Sequence, residues 1–219
     1  MEQTRTIRVT GKGQLKLAPD TTRITITLSE VQKAYADTLE RSAKDTETLR
    51  DALEPLGFAR AALKTLLFDV DAEYESYREH GEYRQRMIGY RYRHELKLEF
   101  PSDNALLGKV LYALAHAPVD PEFHISYTVK DREAAKNRLL EAAVADAKAK
   151  AAVLAEASGV AIKELLTIDY SRTEIEFISR PMNRMLTCKA ESADGAYNLD
   201  IEPDDIEVSD TVSMWWRIV

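Results

Sequence analysis

The residues best equipped to do chemistry lie between Tyr74 and Arg93. Tyr74, Tyr77, Tyr83, Tyr90 and Tyr92 are interleaved there with Arg78, Arg84, Arg86, Arg91 and Arg93. Aromatic rings and guanidinium groups on a sheet can stack bases and hold phosphates. The same residue types are enriched where proteins meet, and they also pair across strands with no outside partner. Glu75, Glu79 and Glu82 sit among the arginines and offset most of their charge. Plain cross-strand pairing, a protein interface and nucleic acid all fit this stretch. The interface candidates are Tyr74, Tyr77, Tyr83, Arg84, Arg86, Tyr90 and Tyr92.

Other motifs carry less. Gly11-Lys12-Gly13 resembles part of a phosphate loop, but such loops need a helix N-terminus behind them. Gln14-Leu15-Lys16-Leu17-Ala18-Pro19 follows instead, a strand and then a turn, so a strand bulge or kink is expected. His80, His94, His116 and His124 have no zinc-helix spacing and read as structural histidines. There is no Gly-x-Ser-x-Gly elbow. Cys188 is the only cysteine, which rules out a disulfide within the chain. Lys189 and Arg184 could lower its thiol pKa, although a lone cysteine of this kind is usually inert. No catalytic, metal-binding or cofactor-binding residue is assigned, and no cofactor is expected.

Composition narrows the classes further. The chain has 219 residues, 45% hydrophobic and 31% charged, which is globular usage rather than disorder. Its net charge of −7 repels phosphate backbones, so no nucleic-acid partner is expected. No run of about 18 apolar residues occurs, so no integral membrane segment is expected. The start, Met-Glu-Gln-Thr-Arg-Thr-Ile-Arg-Val, lacks a basic and then apolar leader. The expectation is therefore a cytoplasmic protein, or a periplasmic one if a leader has been removed.

The elements that must position these residues follow from hydrophobic period. Ile7, Val9, Leu15 and Leu17 mark one strand, and Ile24, Ile26 and Leu28 another after the Pro19-Asp20 turn; the two are expected to pair. Leu39, Ala43, Thr46, Leu49, Leu53 and Leu56 recur at helical spacing over 37–54, ended by Pro55 and Gly57. Strands over 63–77 and 87–100 flank a polar connection, 78–85, as a long hairpin. Asp103 caps a second helix reaching about His116, and Phe123, Ile125, Tyr127 and Val129 form a further strand. The segment 131–158 reads as a helix about 42 Å long. Leu140, Val144, Ala147, Ala151 and Leu154 lie along it with 4-3-4-3 spacing, a seam expected to be mostly buried. A short strand over 165–170, an irregular stretch over 172–200 and a last strand bent near Ser209-Asp210 complete the chain. Strands and helices do not alternate regularly, so the fold class is α+β. It is read as one domain over 1–219, an antiparallel or mixed sheet with a long alanine-rich helix and two shorter helices.

In order, these elements resemble the SIMPL domain family. The resemblance rests on Val9-Thr10-Gly11-Lys12-Gly13 through Pro19-Asp20, on Leu53, Gly57 and Thr65, and on Gly89-Tyr90. It continues with Ala147-Lys148, Lys150-Ala151, Leu154-Ala155 and Gly159, and with Ile201-Glu202-Pro203. Asp204 stands where a glycine is usual, and Ala117-Pro118-Val119-Asp120 replaces a glycine-containing turn. The resemblance implies no catalytic residues. It implies stress-associated, envelope-associated or adaptor roles, and homo-oligomers among relatives. The functional expectation is a non-enzymatic, self-associating binding module with a homo-oligomeric or other protein partner. The alternatives are a hydrolase-like enzyme whose site sequence does not reveal, and a nucleic-acid binder using the hairpin.

Overall fold

The computed structural model describes residues 5–170, 175–179, 189–192, 196–198 and 201–219. In chain order its elements are β1 (Thr6–Leu17), β2 (Thr21–Gln32), α1 (Tyr35–Leu53), β3 (Lys64–Glu79), β4 (Glu82–Pro101), α2 (Asn104–His116) and β5 (Glu122–Thr128). There follow α3 (Arg132–Ala157), β6 (Ile162–Asp169), β7 (Ile178–Ser179), β8 (Lys189–Ser192), β9 (Ala196–Asn198) and β10 (Ile206–Ile218). This is an α+β protein, as its sequence predicts. Among the described residues no helix is long and apolar enough to cross a membrane. The chain gathers into two compact units, one from Met1–Pro19, Thr128–Ser179 and Asp204–Val219, the other from Asp20–Tyr127 and Arg180–Pro203.

In the first unit the strand order is β1-β10-β6, antiparallel throughout. The expected pairing of β1 with β2 does not form: β1 pairs with β10, and β2 with β4. The two ends of the chain thus make one ribbon, and β10 runs through Ser209-Asp210 opposite β1 with no break in register.

Helix α3 lies on this sheet through small residues. Ala135, Leu139, Ala143, Ala147, Ala151 and Ala155 are buried, spaced four apart. Four residues overshoot a 3.6-residue turn by about 40°. The buried stripe therefore winds around the helix, as contact with a twisted sheet requires. This corrects the 4-3-4-3 seam: Leu140 and Val144 are only half-buried, and Leu154 is 47% exposed. Gly11 and Gly13 face the stripe, where a Cβ would lie 2.1 Å from the carbonyl oxygens of Ala143 and Leu139 respectively. Both pair in unbroken register with Val212 and Asp210. They mark close helix–strand approach, not the bulge or kink their sequence suggests. The Lys12 amide between them donates to Asp146 Oδ2 at 2.7 Å, which satisfies an edge-strand donor.

The second unit carries strands in the order β3-β4-β2-β5. Ile24, Ile26 and Leu28 of β2 and Leu96 and Leu98 of β4 share a core with Leu107 and Leu114 of α2. Asp103 caps α2 as expected, accepting from the amides of Ala105 and Leu106. Helix α1 turns Leu49 and Leu53 into this core, but its first half presents Thr38, Ser42 and Asp45 instead. The expected stripe residues Leu39 and Ala43 are exposed.

Candidate functional site: the arm of the β3–β4 hairpin

β3 and β4 pair from Lys64↔Lys97 to Glu79↔Glu82, whereas β2 runs out at Gln32, opposite Tyr90. Beyond that point residues 73–79 and 82–89 continue as a two-stranded arm. At about 3.3 Å per residue it extends roughly 23 Å. The expected polar loop over 78–85 is strand instead, closed by His80 and Gly81 alone. Their φ values of 52° and 92° are both positive, as a two-residue type I′ turn requires. At the base, Ile88 is an extra residue between the pairs Tyr74↔Met87 and Glu73↔Gly89. A Cβ on Gly89 would meet the Gln32 carbonyl oxygen at 2.2 Å, so only glycine fits where β2 ends and the arm begins.

Strand alternation gives the arm two unlike faces. One is a ladder of ion pairs. Arg91 clasps Glu73 at 2.9 and 3.0 Å, Arg86 pairs with Glu75, and Arg84 with Glu79 at 2.8 Å. The Arg86 guanidinium also sits 5.5 Å from the Tyr77 ring centroid. Hydrogen bonds from Arg91 hold the Glu73 carboxyl below its usual range. The other face carries Tyr74, Tyr83 and Met87, which are 56%, 81% and 45% exposed. Ile88 at the bulge is exposed as well.

The structure therefore divides the candidate residues. Tyr74, Tyr77, Tyr83, Arg84 and Arg86 belong to the arm. Tyr90 stands at its root, half-buried, with its ring edge-on to Tyr35 at 5.5 Å. Tyr92 is only 1% exposed and belongs to the core, so it has no surface to offer a partner.

Tyr92 has a different task. Its hydroxyl donates to Asp45 Oδ2 at 2.5 Å, and Arg41 Nε bonds the same carboxylate at 3.0 Å and Glu30 at 2.7 Å. Burial, reinforced by the Asp45 carboxylate, pushes the phenol pKa far up. One strand pair along, His94 lies buried between two threonines. The Thr46 hydroxyl donates to the Ser42 carbonyl, so its oxygen accepts from His94 Nδ1, 3.1 Å away. Thr65 then donates to Nε2 at 2.8 Å. Both nitrogens are satisfied with the ring neutral. Burial pushes its pKa down, and the Arg50 charge adds to this. A cavity of about 310 Å³ beside it is lined by Leu39, Ser42, Arg50 and Phe68, among others. With its nitrogens committed, His94 is a structural clamp here rather than a base.

The remaining histidines do not converge. His80 makes the turn, His116 stacks on Tyr112 at 3.9 Å, and His124 is exposed. Among the described residues no group of three or more His, Cys, Asp or Glu could hold a metal ion. Cys188 and Arg184 lie outside the described residues.

Sequence reasoning missed Met87 and Ile88, which read as ordinary strand apolars, and the Asp45–Tyr92 pair. A signal for the pair existed: Thr38, Ser42, Asp45 and Leu49 are spaced 4-3-4, placing polar groups on a buried face.

A paired ribbon, an alanine helix on a glycine-bearing strand and a long hairpin define an α+β module. Residues 7–216 match the SIMPL family, described as a protein of unknown function (DUF541), and the chain belongs to it. No curated protein matches the chain.

Proposed function

We propose that this SIMPL protein is a non-enzymatic, self-associating binding module whose contact surface is the β3–β4 arm. The observation that carries this reading is the exposed face of Tyr74, Tyr83 and Met87 on a ribbon that, among the described residues, has no third strand beside it. Isolated two-stranded ribbons are marginal in water. A partner would cover the rings while leaving their hydroxyls at a polar rim. Closed symmetric assembly is the ordinary outcome for such a contact.

Nucleic acid is the weaker reading, because Arg84, Arg86 and Arg91 already hold carboxylates of the same arm. The test is light scattering across a concentration series. An assembled mass is expected, falling to the monomer in the double variant Tyr74→Ala plus Tyr83→Ala. A monomer mass throughout rejects self-association; an unchanged assembly in the double variant rejects this surface.

A further inference from the structure

The arm has two unpaired edges as well as two faces. Among the described residues β3 is the outermost strand of its sheet. Beyond Tyr90, where β2 ends, β4 has no neighbour on its far side among the described residues. Such edges pair with other chains unless something prevents it.

The strands differ sharply in charge. Between 69 and 79, β3 carries Asp69, Asp71, Glu73, Glu75 and Glu79 against Arg78. Between 82 and 93, β4 carries Arg84, Arg86, Arg91 and Arg93 against Glu82. A symmetric contact of like edges would set acid on acid, or Arg84 against Arg86 of the other copy. Like charges placed opposite one another are destabilising.

We propose that a second copy of this chain lays its β3 against the unpaired edge of β4, head to tail, in the register the hairpin already uses. The inference rests on the self-association proposed above and names its mode. Within one chain Glu75 faces Arg86, Tyr77 faces Arg84 and Tyr74 faces Met87. The same pairs recur between copies.

Hydrogen-bond phase agrees with this register. Along an antiparallel strand alternate residues turn their N–H and C=O groups toward one neighbour and then the other. Residues opposite each other in the hairpin turn these groups inward or outward together. The outward positions of β4 therefore meet the outward positions of the incoming β3. Arg84 and Arg86, on the stretch of β4 that β2 does not cover, each gain a second column of carboxylates, and Tyr74 of one copy comes beside Met87 of the next. A head-to-tail contact continues into a ring when its rotation closes and into a filament when it does not.

Single-cysteine variants test the geometry. Ser76 and Gln85 face each other in the hairpin register. Ser76→Cys and Gln85→Cys would be made separately, each with Cys188→Ser, and exposed alone and mixed to a mild oxidant, which closes a disulfide only between sulfurs facing each other across one strand spacing. The mixture should give a cross-linked dimer that neither variant gives alone. Cross-linking of either variant alone would overturn the head-to-tail mode.

Charge exchange provides a second readout. Glu75→Arg and Arg86→Glu should each weaken association roughly tenfold or more, because like charges then meet across the contact. Mixed one to one, they should restore it, since each edge again meets its opposite. Restoration failing while the parent assembles rejects this mode and leaves self-association standing. A parent that is monomeric at every concentration rejects both.

Discussion

Two places where β-strands meet their surroundings use opposite side-chain sizes. Along β1, glycines face the alanines of α3, and backbone approaches backbone with no room for a single extra carbon. Along the arm, tyrosines and arginines stand on a ribbon whose Tyr74, Tyr83 and Met87 are exposed. Small residues make the first contact dependent on this chain alone, because any added atom collides with a main-chain carbonyl. Large amphipathic residues leave the second contact open to another surface. Energetic sensitivity should therefore be concentrated in the glycine contact, and sensitivity to concentration in the arm.

The strongest challenge to that contrast is Gly11→Val. Its branched carbon would press on the Ala143 carbonyl and the Ala147 methyl, and overpacking of this kind should cost about 3 kcal/mol. Urea unfolding measures it, as the midpoint shift times the slope; a loss of less than a quarter of that value would show that α3 moves aside easily. Tyr92→Phe asks whether the base of the arm is held by its polar bond. Losing the hydroxyl on a charged acceptor should cost about 1.5–3 kcal/mol, and a neutral result would mean Arg41 satisfies Asp45 alone.

His94 sharpens the comparison through pH. Its folded pKa lies below the unfolded value of 6.5. Between the two values the unfolded chain binds more protons, so stability rises with pH. The contribution of the neutral ring is complete above about 6.5 and is lost as pH falls toward the folded value. Urea midpoints of the parent should fall between pH 7.5 and 5.5 by more than those of His94→Gln; equal slopes would remove His94 from the account. The smallest effect is expected at the tip. Tyr83→Ala should change monomer stability by less than about 0.5 kcal/mol while reducing association, and a large stability loss would mean the ring is not a free surface.

The sequence made some of this legible and hid the rest for definable reasons. Period-2 and period-3.6 patterns located α1, α2, α3 and most strands, because solvent reads side chains one at a time. Asp103 marked a helix start through local backbone chemistry, and it accepts from the Ala105 and Leu106 amides. Pairing was less accessible. That β1 finds β10 rather than β2 depends on residues some two hundred positions apart, which no local pattern encodes. The role of Gly11 and Gly13 depended on what crosses them. The tyrosine–arginine stretch was recognisable as unusual, yet period alone could not tell that Tyr92 turns inward while Tyr83 stands exposed. That difference arises where β2 stops, at Gln32.

The joint at Gly89 gives the arm a mechanical character. Among the described residues only the β3–β4 ribbon continues past this point, so the direction of the tip follows the twist of one bulged pair. A rotation of about 10° there, carried along roughly 23 Å of strand, sweeps Tyr83 through about 4 Å. That is nearly the spacing between neighbouring strands, enough to carry an edge into or out of hydrogen-bonding reach. The end of β2 is thus the fulcrum of a lever, and substitutions near Gln32 would alter the pointing of a surface they never touch.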